Sequence, residues 1–383
     1  GQGLPGDVLR ARDRRRGKRV VVIDDQVPAP YLGVGLPRAR RLLEFLSELG
    51  YAVTFVPLIN NTPWQPTTRQ LQQMGVEVFY GGSFTPEELL RSRSGYYDIV
   101  IVSRPHNGRR ILSLMRRYFP SAPIIYDAEA LFCMRDILKA QVEGRSLSEI
   151  DKTRMLREEL DLMKEADIVM AVSEREGEIM RKEGVDRDIV AWGHTHDLYT
   201  PATPFSKRRD ILFVGAFTHG HPPNADAVIH FATKVFPAIC EKLPDCRFVI
   251  VGSQPPESVR KLASRDVVIT GFVEDLREYY ETCRVFVVPL RFGAGLNYKL
   301  TEAMSYGIPS VISVVAAQGL DVQSEREVLI AQDDDEFAEK TIRLYTDEAL
   351  WHEVQREAQR YIRDKCAPEI MKQKLAEIIK RTG

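Results

Sequence analysis

Cysteine is scarce in this 383-residue chain, and its spacing excludes two classes of protein. None of the five cysteines lies in a C-x-x-C pair or in another spacing typical of metal ligands, and their odd number is typical of a reducing compartment. We therefore expect neither a disulfide-stabilised secreted domain nor a zinc module, and each cysteine to be a small buried apolar residue. The cysteines are Cys133, Cys240, Cys246, Cys283 and Cys366.

Long apolar runs and an excess of charge are also missing. No run approaches the length of a membrane span, and no signal peptide is visible. The chain begins with Gly rather than Met, which we expect of a piece cut from a longer chain. Lys and Arg number 53 against 54 Asp and Glu, so a nucleic-acid partner is not expected. The prediction is a cytoplasmic protein, with peripheral contact at the inner face of the membrane left open.

What the chain does contain is a regular alternation of strands and helices. Its length suits two domains, and its 44% hydrophobic and 28% charged residues are those of a globular protein. The alternation runs from Arg19 to Trp192, stops in a stretch with Pro201 and Pro204, and restarts at Arg209. It predicts an α/β protein with two doubly wound parallel sheets. The predicted boundaries are a basic, mobile leader (1–17), a first domain (18–192), a linker (193–209), a second domain (210–365) and a closing helix (366–383).

The most informative stretch is 283–309, which reads as a buried strand, a small-residue loop and a helix. The loop is Gly293-Ala294-Gly295, and Lys299 and Glu302 follow at helical spacing before Gly307 ends the helix. A glycine-rich turn before a helix N-terminus predicts an anion site, to which Lys299 adds charge. Glu302 suits this place if it accepts hydrogen bonds from the ribose of a nucleotide. A solvated surface loop is the alternative.

This stretch resembles the nucleotide-sugar site of the retaining glycosyltransferases of family 4, also called group 1, which have the GT-B fold. Glu302-Ala303-Met304 with Gly307-Ile308-Pro309 is similar to the second half of their E-x7-E pattern. Ala294 stands where the first Glu would fall, as in a branch with a G-A-G loop. The resemblance extends over about residues 18–381, with DILFVGAF and HPPNADAV as its other specific matches.

The resemblance implies two Rossmann-like domains that face each other across a cleft, with the acceptor bound by the first and the nucleotide by the second. It implies a hexosyltransferase that uses a nucleotide-diphosphate sugar, needs no metal or other cofactor and retains the anomeric configuration. The acceptor would be a glycan or a lipid-linked glycan in surface polysaccharide assembly, and the last helix would pack on the first domain. The donor-binding residues that it implies are Gly215, Phe272, Gly293, Ala294, Gly295, Leu296, Asn297, Lys299 and Glu302. The Arg and Lys that the family commonly has after the strand ending at Gly215 are missing here, and His221 is predicted to donate to a phosphate oxygen in their place. A rigid turn that shapes the pocket is the alternative for this HPPN segment. For Phe272, the residue pattern alone favours a place in the core. A zinc site made of His194, His196, His219 and His221 is rejected, because the ligand spacing is wrong.

In the first domain, polar residues follow two predicted strands. Arg104 and His106 follow one strand, and Asp127 and Glu129 follow the next, so their side chains are expected at the carboxyl edge of the sheet. We predict His106, Asp127 and Glu129 as catalytic or hydroxyl-binding residues, with a helix cap as the alternative for Asp127. Arg104, with Gly33 and Gly35 of the first loop, is predicted to contact acceptor or donor.

One further helix carries Arg109, Arg110, Arg116 and Arg117 beside apolar residues. It predicts either a solvated face or contact with an anionic bilayer or lipid diphosphate.

Other functions stay open at this point. A sugar-nucleotide epimerase of the same architecture would bind the same donor without an acceptor. A non-catalytic nucleotide-binding module is a second alternative. A nicotinamide dehydrogenase is not expected, because neither half contains G-x-G-x-x-G.

Overall fold

The chain forms two units, each built around one parallel β-sheet. A computed structural model describes residues 5–29, 35–82, 85–142, 144–217, 223–293 and 296–383. The first unit consists of Gly1–Cys133, Ser148–Gly193 and Lys372–Gly383, and the second of Met134–Leu147 and His194–Met371.

The sheet of the first unit is parallel throughout its described strands, in the order β3-β2-β1-β4-β5-β6-β7. In its central strand, Val20, Val21 and Ile23 are fully buried, because helices cover both faces of such a sheet. The chain winds one way to β3 and the other way from β4, so the switch point lies between β1 and β4, where ligands of such sheets bind. The strands are β1 (Arg19–Gln26), β2 (Ala52–Asn60), β3 (Glu77–Val78), β4 (Ile99–Ser103), β5 (Ile124–Asp127), β6 (Ile168–Ala171) and β7 (Asp188–Ala191).

Eight helices occur in the described residues before β8. The last of them has a capping serine at its start: Glu176 N donates to Ser173 Oγ at 3.2 Å. The helices are α1 (Pro5–Arg12), α2 (Leu36–Glu48), α3 (Thr67–Gln73), α4 (Pro86–Ser92), α5 (Pro105–Tyr118), α6 (Phe132–Val142), α7 (Glu149–Met163) and α8 (Glu174–Lys182).

The sheet of the second unit repeats this winding, in the order β10-β9-β8-β11-β12-β13, again parallel in its described strands. Its switch point lies between β8 and β11. Val285, Phe286, Val287 and Val288 of β11 are fully buried, as the apolar run predicted. The strands are β8 (Arg209–Val214), β9 (Phe248–Val251), β10 (Val267–Gly271), β11 (Cys283–Val288), β12 (Ser310–Ser313) and β13 (Leu329–Ala331).

A π-helical segment, Phe231–Val235, joins the first two helices of this half. It lies just before Pro237, whose nitrogen cannot donate to the preceding turn. A short 3₁₀ turn (Phe205–Lys207) precedes β8. The helices of this half are α9 (Pro223–His230), α10 (Phe236–Lys242), α11 (Glu257–Arg260), α12 (Arg277–Thr282), α13 (Tyr298–Ser305), α14 (Val314–Ala317), α15 (Asp334–Thr346), α16 (Glu348–Lys365) and α17 (Pro368–Lys380). None of the helices in the described parts of the chain has the length and apolar character needed to cross a membrane.

The structure differs from the prediction of a mobile leader over 1–17. Helix α1 packs on the first unit, where Gly6 N donates to Ser94 O at 2.9 Å and Arg10 Nη2 lies 2.7 Å from Asp98 Oδ1. The partners lie more than 80 residues away in sequence. Because these partners are so distant, the residues around α1 alone give no sign of them, and the arginines were predicted to be solvated.

One segment crosses the predicted boundaries, because residues 134–147 belong to the second unit. Residues 372–383 belong to the first unit, on which the resemblance implies that the last helix packs. In the first unit, Lys372 Nζ lies 2.9 Å from Glu48 Oε2, and Arg381 Nη1 lies 2.8 Å from Asp188 Oδ1.

Candidate functional site

Lys299 provides a cation at the carboxyl edge of the second sheet. It lies in the first turn of α13, where its Nζ donates to Asn224 Oδ1 and lies 4.9 Å from the centre of the Phe213 ring. Burial lowers the pKa of Lys299 to about 7. No carboxylate within the described residues pairs with Lys299, so an anionic ligand is the group that would favour its charged form.

Glycines and Asn224 shape the neighbouring loops. A Cβ on Gly215 would lie 2.8 Å from Asn224 Nδ2, and one on Gly252 would lie 1.9 Å from Gly215 O. Asn224 Nδ2 donates to Ala216 O at 2.7 Å. The loop after β8 is thereby joined to α9 and, through Asn224, to Lys299. The sequence pattern did not single out Asn224, although it lies in the HPPN segment that carried part of the resemblance.

Glu302 lies one turn further along α13. Its Oε2 accepts a hydrogen bond of 2.8 Å from the Tyr280 hydroxyl, and burial raises the pKa of Glu302 to about 7. Tyr280 is the only hydrogen-bond donor to this carboxylate within the described chain. Oε1 therefore has capacity for a hydroxyl of a ligand.

The predicted linker lies along α13. His194 Nε2 is 3.3 Å from Leu296 O, His196 Nε2 is 2.7 Å from Thr301 Oγ1, and Tyr199 N donates to Ser305 O at 3.1 Å. Both imidazoles also pack against Tyr298. The two histidines thus support the loop and helix that carry Lys299 and Glu302. In the part of the chain that the structure describes, no group of three or more His, Cys, Asp or Glu side chains is arranged to hold a metal ion.

The other predicted donor residues have different outcomes. Gly293 and Leu296 flank the loop, and Asn297 precedes the first residue of α13. Phe272 is 58% exposed at the end of β10, so the expectation that it belongs to the core was wrong. Four of the predicted site residues lie outside the described parts of the chain: Gly33, His221, Ala294 and Gly295.

The first unit has a carboxylate cluster at its own switch point. Arg104 Nε lies 2.8 Å from Asp24 Oδ1 and 3.0 Å from Glu129 Oε2, and its Nη1 lies 3.3 Å from Asp25 Oδ2. Burial raises the pKa of Glu129 to about 7, against the opposing effect of Arg104, and burial also raises the pKa of Asp24. One guanidinium thus faces three carboxylates, which favours a hydroxyl-bearing ligand over an anionic one.

His106 is the exposed member of this cluster. Its Nε2 lies 2.5 Å from Asp25 Oδ1, which also accepts from Asn107 Nδ2 at 2.8 Å. The His106 side chain is 43% exposed. A histidine oriented by a carboxylate can accept a proton from a hydroxyl or donate a hydrogen bond to one. Asp24 and Asp25 were missed by the sequence analysis, although two carboxylates directly after a buried apolar run were a usable signal.

Asp127, the last residue of β5, takes part in a buried ion pair. Its Oδ2 accepts from Arg38 Nη1 at 2.6 Å and from Ser103 Oγ at 3.3 Å, and both ion-pair partners are buried. Arg38 also donates to Trp192 O. A buried pair of this kind is typical of a structural role, and the catalytic role of Asp127 stays a prediction. Asp127 does not cap α6, because that helix begins at Phe132.

Strained backbone marks the same cluster. Arg104 and Glu129 have φ angles of 75° and 57°, although neither is glycine. A Cβ on Gly35, whose φ is 91°, would lie 1.6 Å from Glu129 Oε1. Gly35, Arg104 and Glu129 therefore lie close together, in conformations that the surrounding fold must hold.

The basic helix α5 is partly neutralised. Arg116 Nη2 lies 3.0 Å from Asp167 Oδ1 and Arg117 Nη1 lies 3.6 Å from Glu87 Oε1, whereas Arg110 Nη1 donates to Leu58 O. The solvated-face alternative accounts for these contacts.

Part of the second unit is similar to a known family. Residues 208–347 match the sequence profile of the family described as glycosyl transferases group 1. An uncharacterized 44.6 kDa protein in the cps region of Klebsiella pneumoniae is 25% identical over 142 residues, which are 35% of this chain. The match spans only about a third, 36%, of that protein's own length.

Solved structures are similar over nearly the whole chain. Sucrose-phosphate synthase from Thermosynechococcus elongatus has a TM-score of 0.72 at 17% identity, covering 95% of this chain and 99% of that one. HepE from Anabaena, in complex with UDP and glucose, has a TM-score of 0.67 at 16% identity, covering 95% of this chain and 100% of that one. The G117R mutant of S. aureus TarM, in complex with fondaparinux, alpha-GlcNAc-glycerol and UDP, has a TM-score of 0.70 at 9% identity, covering 94% of this chain and 99% of that one. These similarities establish the fold, which is GT-B, with two Rossmann-like units.

Proposed function

We propose that the protein is a glycosyltransferase that takes a sugar from a nucleotide-diphosphate donor, with UDP-sugars as the first candidates. The observation that carries this proposal is the pair Lys299 and Glu302 on α13, one cation and one hydrogen-bond acceptor a turn apart at the carboxyl edge of β11. The pair lies within the segment that matches the group 1 profile. The HepE and TarM structures that contain UDP support the choice of nucleotide.

In this proposal the second unit holds the donor. The diphosphate lies against the 293–295 loop and the N-terminus of α13, with Lys299 and His221 adding positive charge. These groups stabilise the charge that develops on the leaving diphosphate, which is the largest catalytic contribution expected at such a site. Glu302 accepts hydrogen bonds from the ribose. Gly215, Phe272, Leu296 and Asn297 line the same edge.

The first unit supplies groups for hydroxyls. His106, oriented by Asp25, and Glu129, with a pKa near neutrality, can exchange hydrogen bonds or a proton with a sugar hydroxyl. Arg104 keeps the carboxylates in place. We propose a glycan or lipid-linked glycan as acceptor, transfer with retention as in family 4, and a role in surface polysaccharide assembly. The relative in the Klebsiella cps region supports the last point.

The test is a calorimetric titration of the full chain with UDP, GDP and dTDP, followed by product analysis with their sugars. One of the three should bind, and Lys299→Met should weaken it at least tenfold, since a charge-assisted contact is lost. Lys261→Met is the matched control, because that lysine lies in the same unit and is 74% exposed. Binding of none of the nucleotides would overturn the proposal. An isomerised sugar nucleotide formed without acceptor would indicate the epimerase instead.

A further inference from the structure

Glu302 depends on one neighbour for its orientation. The Tyr280 hydroxyl, at 2.8 Å, is the donor to Oε2, and the Tyr280 side chain is fully buried. A buried carboxylate that lost this bond would keep its desolvation cost with nothing to offset it, and would rotate or take up a proton.

The Tyr280 ring is itself held in a stack of three tyrosines. Its centre lies 4.6 Å from that of Tyr306, at an interplanar angle of 16°, and Tyr306 lies 4.1 Å from Tyr199 at 4°. Arg277 lies over the outer ring, with its guanidinium carbon 5.6 Å from the Tyr199 ring centre. The backbone is also fixed, because Arg208 Nη1 donates to Tyr280 O at 2.6 Å. The hydroxyl of Tyr280 therefore has a defined place relative to Glu302.

We infer that Tyr280 is a positioning residue for nucleotide recognition: its hydroxyl holds Glu302 Oε2, so that Oε1 is presented to the ribose hydroxyls of the donor. The inference rests on the proposed function, in which Glu302 contacts the ribose. It predicts that Tyr280, which touches no ligand itself, sets how strongly the protein distinguishes ribose from a sugar without hydroxyls.

The test compares Tyr280→Phe with Tyr306→Phe. Both substitutions keep a ring in the stack and remove one hydroxyl, but in the described chain only the Tyr280 hydroxyl contacts Glu302. Calorimetry with UDP and with 2′,3′-dideoxy-UDP gives the ribose preference of each variant. Tyr280→Phe should lower the affinity for UDP about threefold to tenfold, since one supporting hydrogen bond is lost, and the affinity for dideoxy-UDP less than about twofold. Tyr306→Phe should change neither affinity by more than about twofold.

A double-mutant cycle shows whether Tyr280 acts through Glu302. In the Glu302→Gln background, Tyr280→Phe should no longer change UDP affinity. An equal loss of UDP and dideoxy-UDP, or an unchanged effect in the Glu302→Gln background, would make Tyr280 a purely structural residue and overturn the inference. Normal ribose preference in Tyr280→Phe would overturn it while leaving the proposed function intact. Absence of UDP binding by the unmodified chain would refute the uridine donor and this inference together.

The pH dependence of UDP affinity is a second test, because a change in packing alone would not shift it. The titratable groups that interact with Glu302 in the described chain are Tyr280, which donates to it, and Tyr306, which stacks on Tyr280. Burial raises the pKa of both tyrosines, which stay neutral from about pH 6 to about pH 9. A donor to the carboxylate favours its ionised form, so Tyr280→Phe should move the rise of UDP affinity to higher pH. Tyr306→Phe should leave the profile in place. An identical profile in both variants would count against the inference.

Discussion

At the scale of single residues, Lys299 and Glu302 have pKa values displaced toward neutrality from opposite sides. Burial lowers that of Lys299 to about 7 and raises that of Glu302 to about 7. Near neutral pH each group is thus close to the point where it gains or loses its charge. A ligand with phosphates and hydroxyls would favour the charged form of both.

This displacement predicts a maximum of UDP affinity near pH 7. Below it, Glu302 becomes protonated and loses its strength as an acceptor; above it, Lys299 loses the charge that attracts the diphosphate. Calorimetry from about pH 5.5 to about pH 9 should show both limbs. Glu302→Gln should flatten the acidic limb and Lys299→Met the basic one.

The comparison between variants is the control, because ionisation of UDP itself affects all of them equally. If Lys299→Met retained the same decline above neutrality, the lysine would not contact the diphosphate.

Asp127 is a single residue whose main expected effect is on stability. Its buried pair with Arg38 predicts that Asp127→Asn lowers the free energy of unfolding of the first unit by about 3–5 kcal/mol, since the arginine is left without its counter-charge. UDP affinity of the folded variant should not change. Urea unfolding and calorimetry measure the two quantities.

Asp188→Asn is the matched control, since it removes an exposed ion pair with Arg381 in the same unit and should cost less than about 1 kcal/mol. A catalytic Asp127 would instead show loss of transfer activity with normal stability.

At the scale of elements, helix α2 is bounded by two glycines with left-handed backbone. Gly35 precedes it with a φ of 91°, and Gly50 follows it with a φ of 85°. A Cβ on Gly50 would meet nothing within 4 Å, whereas one on Gly35 would overlap Glu129. The residue before α2 must therefore lack a side chain, because Glu129 of the carboxylate cluster occupies that space. The space beside Gly50 is open.

We therefore expect Gly50→Ala to cost about 1 kcal/mol of unfolding free energy, through backbone strain alone, and Gly35→Ala about 2–4 kcal/mol. Chemical denaturation of both variants measures the difference. In a Glu129→Ala background, the cost of Gly35→Ala should fall toward that of Gly50→Ala. Equal costs in the unmodified background would show that the loop before α2 relaxes freely around Glu129.

At the scale of the whole molecule, nucleotide binding should appear as added stability. UDP at about 100 times its Kd should add about 2.7 kcal/mol, because only the folded state binds it. Hydrogen exchange should slow in β8, β11 and α13 when UDP is added. Protection confined to the first unit would move the nucleotide site out of the second.

The amino-acid pattern determined the local part of this structure. Apolar runs such as the one in β11, the Ser173 cap and the glycine stop after α13 are set by neighbours a few residues away. Strand and helix alternation followed from them, and with it the two doubly wound sheets. Lys299 and Glu302 could be selected because strand, loop and helix are consecutive there.

Only the tertiary structure decided the rest, because the decisive partners are distant in sequence. Arg10 of α1 meets Asp98, Arg15 meets Tyr96, Asp25 meets His106, and Tyr280 meets Glu302. No local period in the sequence reveals these pairs. Asp127 and Glu129 are two residues apart, yet one pairs with Arg38 in the interior while the other faces Arg104. A regular strand would place two residues at this spacing on the same side, but Glu129 lies beyond β5 with a φ of 57°. Which of the two meets which arginine is therefore a property of the folded chain. Residue types and their order thus determined the fold, and long-range pairing decided which charges stay available for chemistry.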